Sequence, residues 1–296
     1  MIAGPTAVGK TPLAIELAKH YQTVILSADS RQFYKELNIG TAKPSEEQLK
    51  QVPHYFINSK NINELYGAGH YEKDVLKKLE ELFKTHAIVF IVGGSGLYID
   101  AVLNGVDDFV EIPAHVRNRL NEKFHENGLE WLQEEIKKKD PDYFNSVDIN
   151  NPQRLIRALE VIEHTGLPYS GFIKKAKNER PFTAIKILIN TEREKLYARI
   201  NDRVDTMMKE GLLEEVTELV SHKNFNALKT VGYSELYEYL EGRSSLENAV
   251  EKIKQHTRNY AKRQITWFKN KDYFEEFEPG DVAKITGYID IIVSHG

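Results

Sequence analysis

The sequence predicts a mostly parallel, doubly wound α/β sheet, interrupted by a helical insertion and followed by a helical C-terminal region. Three observations carry this. An apolar stub, a glycine-rich turn and an amphipathic helix open the chain in that order. Apolar runs at 23–26, 87–92 and 182–189 alternate with helical patterns, as parallel strands joined by crossover helices do. Between the second and third runs, residues 111–180 give no strand signal. The expected organisation is a core over 1–110, a helical insertion over 111–180, and a returning strand with C-terminal helices over 181–296.

The first strand, Met1-Ile2-Ala3, is shorter than the five or six residues common in buried strands, so either the natural start lies upstream or the strand is abbreviated. The helix from Thr11 to His20 places Leu13, Ala14, Leu17 and Ala18 on one face. Thr23-Val24-Ile25-Leu26 is a buried strand that ends at Ser27-Ala28-Asp29-Ser30, and the run from Ala87 to Val92 ends at Gly93-Gly94-Ser95-Gly96. In the insertion, Pro113, Pro141 and Pro152 mark helix starts, and Gly128 and Gly166 mark ends. After the strand at 182–189 everything reads as helix, with breaks at Gly211, Gly232 and Gly242 and a long helix from about Ser245 to Lys269.

Gly4-Pro5-Thr6-Ala7-Val8-Gly9-Lys10-Thr11 matches G-x-x-x-x-G-K-[ST] in full, in the strand-turn-helix context the motif requires, which makes the fold P-loop NTPase-like. Backbone N–H groups of such a turn converge on phosphate oxygens, Lys10 adds a mobile positive charge, and the Thr11 hydroxyl can ligate Mg²⁺. The bound species is a di- or triphosphate, and Mg²⁺ is the expected cofactor.

Composition narrows the class. The chain has 296 residues, 41% of them hydrophobic, a net charge of −4 and no cysteine. Disulfides, thiol catalysis and cysteine-ligated zinc are excluded. No apolar run reaches the roughly 18 residues of a membrane span and no charged-then-apolar leader precedes the motif, so a cytoplasmic protein with no membrane partner is expected. It is expected to act as a monomer. Lys252, Lys254, Arg258, Lys262, Arg263, Lys269 and Lys271 fall in a stretch without Asp or Glu, interleaved with His256, Tyr260, Trp267 and Phe268. Cations beside rings suit single-stranded nucleic acid, although Tyr260 and Trp267, seven apart, equally form a core-packing stripe.

Several residues can carry chemistry. Asp29, at a strand end beside the phosphate loop, is positioned as a general base or a Mg²⁺ ligand, and equally as an N-cap for the segment after it. Ser95, in the glycine turn, offers a hydroxyl to a phosphate or a nucleophile; the same glycines also suit a plain tight turn. The strand before it lacks a terminal acid of the Walker B kind, which counts against ordinary ATP hydrolysis, and no N-K-x-D spacing is present, which counts against a GTPase. Arg193, Arg199 and Arg203 follow the returning strand, where Arg203 can close over a leaving phosphate or serve a solvated ion-paired face. Gln153, Arg154 and Arg157 lie in the first turns of a helix begun by Pro152 and offer guanidinium forks to RNA phosphates.

Taken together, six blocks resemble the bacterial tRNA dimethylallyltransferase family nearly end to end. They are the phosphate loop at 4–11; Asp29-Ser30-Arg31-Gln32-Phe33-Tyr34; Ile39-Gly40-Thr41-Ala42-Lys43-Pro44; Gly93-Gly94-Ser95-Gly96-Leu97-Tyr98; the run from Asn151 to Glu160; and Ala261-Lys262-Arg263-Gln264-Ile265-Thr266-Trp267-Phe268. Ser95 stands where the family usually has Thr and keeps the hydroxyl. The resemblance implies transfer of a dimethylallyl group from dimethylallyl diphosphate to N6 of the adenine immediately 3′ of a tRNA anticodon, with release of pyrophosphate. It implies Asp29 and Ser95 as catalytic residues, the loop Gly4, Pro5, Thr6, Ala7, Val8, Gly9, Lys10 and Thr11 with Arg203 as the diphosphate site, and Thr11 as the Mg²⁺ ligand. Asp29, Ser30, Arg31, Gln32 and Ser95 would lie beside the flipped base. Gln153, Arg154, Leu155, Ile156 and Arg157 would grip the anticodon stem-loop, with Gly232, Tyr233, Arg258, Lys262 and Arg263 as further RNA contacts. Two alternatives share the phosphate loop: a small-molecule kinase, which leaves the cationic helix idle, and an isopentenyltransferase acting on free adenine nucleotides, which needs no anticodon grip.

Overall fold

A computed structural model of the chain describes residues 1–106, 111–173, 179–271 and 274–295. The expected boundary between 110 and 111, Asp272 and the last residue of the C-terminal region lie at or beyond the edges of the described residues. Two compact units are present, one formed by Met1–Leu103 with Arg180–Gly296, the other by Asn104–Glu179.

The first unit is built on a parallel sheet of six strands, β1 (Ile2–Ala3), β2 (Ile25–Ser27), β3 (His54–Tyr55), β4 (Phe90–Gly93), β5 (Ile187–Ile189) and β6 (Glu275–Phe277), in the order β3-β2-β4-β1-β5-β6. Alternation of side chains along each strand explains why helices cover both faces. Ile2, Ile25, Phe90, Val92, Ile187 and Ile189 enter one apolar cluster, with Leu13 and Leu17 of α1 (Lys10–His20). Ala3, Leu26, Ile91 and Leu188 enter another, with Tyr71, Val75 and Leu79 of the helix Ala68–Leu82. Doubly wound packing follows from this two-residue period.

The expectation that only helices follow the returning strand is corrected by β6. Glu275 and Glu276 are exposed on a three-residue edge strand whose place is set by backbone pairing with β5, and Glu is poorly represented in strands. The two-residue β3 is equally silent in the sequence. Beyond the sheet, helices Arg193–Lys209, Leu212–Glu218, Tyr233–Leu240 and Leu246–Lys269 share a third core that takes in Val204, Leu212, Leu236 and Ile253.

Among the described residues of the second unit, the regular elements are all helices. Ala114–Lys139 breaks at Gly128, whose φ of 75° favours glycine, and Pro141–Ser146 and Pro152–Thr165 begin at prolines. Leu120, Leu132, Ile136, Leu155, Ile156 and Leu159 form its core. Leu155 and Ile156 are fully buried there, which corrects their expected contact with RNA: only Gln153 and Arg154 of that turn are exposed.

Candidate active site

The phosphate loop connects β1 to α1 and takes its shape from glycines. Gly9, at φ 105°, is the left-handed residue before α1. A Cβ on Gly4 would overlap the Ile189 carbonyl oxygen, so the loop sits directly against β5. No side chain caps α1 and no acid occupies its first turn, which leaves the positive end of the helix dipole and its free N–H groups for an anion.

Lys10 folds back on this loop, its Nζ donating to the carbonyls of Gly4 at 2.9 Å and Pro5 at 2.7 Å. Burial and the neighbouring Arg203 push its ammonium down to about 7, while Asp29 partly offsets them. Burial likewise lowers Arg203 from its ordinary value, opposed by Asp29. Arg203 faces the cavity and donates to Thr6 Oγ1 at 3.4 Å. Its neighbours have other duties. Arg199 donates to the Val8 carbonyl at 3.1 Å, and Arg193 lies over the Tyr197 ring.

A cavity of about 720 Å³ opens from the loop. Thr6, Gly9, Lys10, Thr11 and Arg203 line it together with Asp29, Gln32, Gly94, Tyr260, Gln264 and the loop containing Thr41, Ala42 and Lys43. That volume suits a diphosphate together with a second substrate group. Asp29 caps a turn rather than a helix and also lines the cavity. Oδ1 accepts the backbone N–H of Arg31 at 2.9 Å and of Gln32 at 3.3 Å, closing a turn, and the carboxylate still borders the cavity.

Ser95 sits in the turn after β4, next to the Asp29 segment. It is buried and absent from the cavity lining, and its Oγ accepts the Ser30 N–H at 2.9 Å. This bond holds the Ser30 backbone against the turn after β4. Burial, aided by Asp29, pushes the Tyr260 phenol up to about 12 and keeps it neutral.

The remaining expected contacts divide. Gln32 lines the cavity, its Nε2 donating to the carbonyls of Thr41 and Ala42 at 3.2 Å each. The Arg31 guanidinium donates to the carbonyls of Asn226 and Lys229. Tyr233 is fully buried with its phenol on Glu215, and Gly232 starts a helix through a capping bond with Glu235; burial corrects the RNA role expected of Tyr233. Arg258 donates to Asn201 Oδ1 at 2.6 Å, a bond within the fold. Along the same helix Lys252, Lys254, Lys269 and Lys271 pair with Glu238, Asp205, Glu276 and Asp100. Lys262 and Arg263 are exposed and have no ion pair among the described residues. In the second unit Gln153 accepts from Arg117, Arg157 pairs with the buried Glu160, and Arg154 has no ion pair among the described residues.

Sequence reasoning missed two residues. Gln264, nearly buried, bridges the Thr6 N–H and the Gly94 carbonyl. Tyr260, Gln264 and Phe268 recur every four residues on the long helix, and an amide inside an otherwise aromatic stripe was the available signal. Glu215, which accepts the N–H groups of Asn38, Ile39 and Gly40, carried no such signal.

Thr11 and Asp29 border the same cavity, and no cluster of three His, Cys, Asp or Glu side chains able to hold a metal exists among the described residues. One or two protein oxygens fit Mg²⁺, which usually keeps several waters and binds through substrate phosphates.

Sheet, loop and cavity define a phosphate-binding α/β protein of the P-loop kind. The model of the IPP transferase family matches residues 32–271, and the chain belongs to that family. It is 47% identical over 290 residues to a tRNA dimethylallyltransferase of Christiangramia forsetii, covering 98% of this chain and 96% of that protein. A tRNA dimethylallyltransferase 1 of Bacteroides thetaiotaomicron is 46% identical over 98% of this chain and 94% of its own length. Among solved structures, the full-length tRNA isopentenylpyrophosphate transferase of Bacillus halodurans superposes with a TM-score of 0.73 at 33% identity, over 99% of this chain and 96% of that one. A eukaryotic dimethylallyltransferase acting on tRNA gives 0.78 at 26% identity, over 95% of this chain and 74% of that one.

Proposed function

We propose that this protein transfers the dimethylallyl group of dimethylallyl diphosphate to N6 of the adenine immediately 3′ of a tRNA anticodon. The observation that carries the reading is the single cavity joining the phosphate loop, Lys10, Thr11 and Arg203 to the Asp29 carboxylate. The family and its relatives support the chemistry.

The diphosphate binds at the open N-terminus of α1, where Lys10 exchanges its two carbonyl partners for phosphate oxygens. Thr11 would hold Mg²⁺ beside the same oxygens, a cation whose chemistry is neutralising charge on the leaving group. The amine nitrogen attacks the allylic carbon; its C–O bond breaks and the electron pair leaves on pyrophosphate. Loop N–H groups, Lys10 and Arg203 stabilise the growing negative charge. Asp29 accepts the proton that the amine loses, since an exocyclic adenine amine is a poor nucleophile without a base. Ser95 keeps Ser30 in place beside that base.

Everting the adenine costs a few kcal/mol of stacking, which contacts elsewhere on the RNA must offset. Lys262, Arg263 and Arg154 are the exposed cations suited to its phosphates. The test is incubation with Mg²⁺, dimethylallyl diphosphate and an unmodified tRNA carrying that adenine, followed by mass spectrometry of the digested RNA. N6-dimethylallyl adenine is the expected product. Prenylation of free AMP with no RNA product, or nucleotide phosphorylation alone, would contradict the proposal.

A further inference from the structure

Two segments remain outside the chemistry, the loop 38–43 and the turn that delivers Tyr233, and one carboxylate joins them. Glu215 lies on the short helix Leu212–Glu218. Its Oε2 accepts the backbone N–H of Asn38 at 3.0 Å and of Ile39 at 2.8 Å, and its Oε1 accepts the N–H of Gly40 at 3.0 Å and the Tyr233 phenol at 2.6 Å. Four donors fill the roughly four lone-pair sites that a carboxylate offers.

Packing closes the same joint. A Cβ on Gly40 would stand 2.5 Å from the Tyr233 ring, so only glycine lets the loop lie against that side chain. The far end of the loop is held by Lys43, whose Nζ donates to the Tyr34 carbonyl and to Asn38 and Asn58. The loop so fixed is a wall of the cavity, and its Thr41 and Ala42 carbonyls receive the Gln32 amide. Gln32 in turn donates its backbone N–H to Asp29.

We propose that Glu215 is a positioning residue for the acceptor side of the cavity, fixing the loop 38–43 and through it the Gln32 side chain next to Asp29. The proposal rests on the reading that the adenine enters beside Asp29 and Gln32. Glu215 touches no reacting atom. Its bonds reach the loop 38–40 and Tyr233, and none of them goes to the phosphate loop.

Glu215→Gln keeps the size of the side chain but turns an N–H₂ group toward N–H donors; Tyr233→Phe removes one donor and is the milder variant. Steady-state kinetics should show the KM for tRNA raised about tenfold in Glu215→Gln, with the KM for dimethylallyl diphosphate within about twofold of the wild type. Hydrogen exchange without substrate should show the amides of 38–40 exchanging about tenfold faster, with the peptide covering the phosphate loop unchanged. Tyr233→Phe should shift both readouts in the same direction by less, and it carries the comparison alone if Glu215→Gln does not fold. Unchanged exchange at 38–40, or an equal rise in both KM values, would overturn the proposal. If the wild-type protein prenylates no tRNA, the functional reading fails, while the exchange rates still decide whether Glu215 holds the loop.

Discussion

Gln264 holds Thr6: its Oε1 accepts the Thr6 backbone N–H at 2.9 Å while its Nε2 donates to the Gly94 carbonyl at 2.8 Å. One side chain from the cationic helix thereby ties the phosphate loop to the glycine turn after β4. The Thr6 N–H is consequently engaged within the protein, and the amides from Ala7 onward are the ones left to a diphosphate.

Replacing Gln264 tests that tie. Gln264→Leu leaves a nearly buried N–H and a carbonyl unpaired, at about 1–3 kcal/mol each. Gln264→Glu can still accept from Thr6 but turns an oxygen toward the Gly94 carbonyl and adds negative charge beside the diphosphate site. Calorimetric titration with dimethylallyl diphosphate should rank affinity as wild type, then Leu, then Glu. Equal affinities for all three proteins would contradict the assignment.

Lys10 makes diphosphate binding depend on pH. Its pKa in the free protein is about 7, so at pH 8 most molecules carry a neutral amine. A bound diphosphate favours the ammonium, so binding at pH 8 takes up close to one proton and affinity falls by up to about tenfold for each pH unit above 7. Calorimetry in buffers of different ionisation enthalpy reads this uptake directly, and Lys10→Met should abolish it. The stability sign follows from the same depression. Between about 7 and the ordinary 10.5 the unfolded lysine holds its proton more tightly, so this residue makes stability rise with pH across that window.

Cations on the long helix should not contribute equally to RNA binding. Lys262→Ala with Arg263→Ala should flatten the plot of log affinity for tRNA against log salt by about 1 to 2, as expected when up to two phosphate contacts are lost. Arg258→Ala should leave that slope unchanged, because its guanidinium is engaged with Asn201. A slope that responds to Arg258 and not to the other two would reverse the assignment.

The parts of the site legible in the sequence are those whose geometry is local. The phosphate loop could be read because its glycine spacing encodes a backbone turn, and Asp29 because a strand end in a parallel sheet is where ligands gather. What stayed hidden depends on partners distant in the chain. Glu215 meets residues 175 to 177 positions away, and nothing in its own helix marks it. Tyr233 and Leu155 sit in segments suggestive of RNA contact, yet each turns inward to fill a core. Arg258 and Lys262 differ by one helical turn, enough to separate a guanidinium bonded within the fold from an exposed amine. Strands β3 and β6 are set by backbone pairing at the sheet edges, which side-chain pattern does not record.

The central claim is that the Asp29 carboxylate takes the proton from the acceptor amine. Single-turnover prenylation of tRNA by Asp29→Ala, measured beside its equilibrium affinity for tRNA, tests it most directly. The expected result is a rate lower by about 100-fold or more with tRNA affinity within about tenfold of the wild type, since a general base acts mainly in the transition state. A near-normal rate from the bound complex, with the loss confined to tRNA affinity, would contradict it.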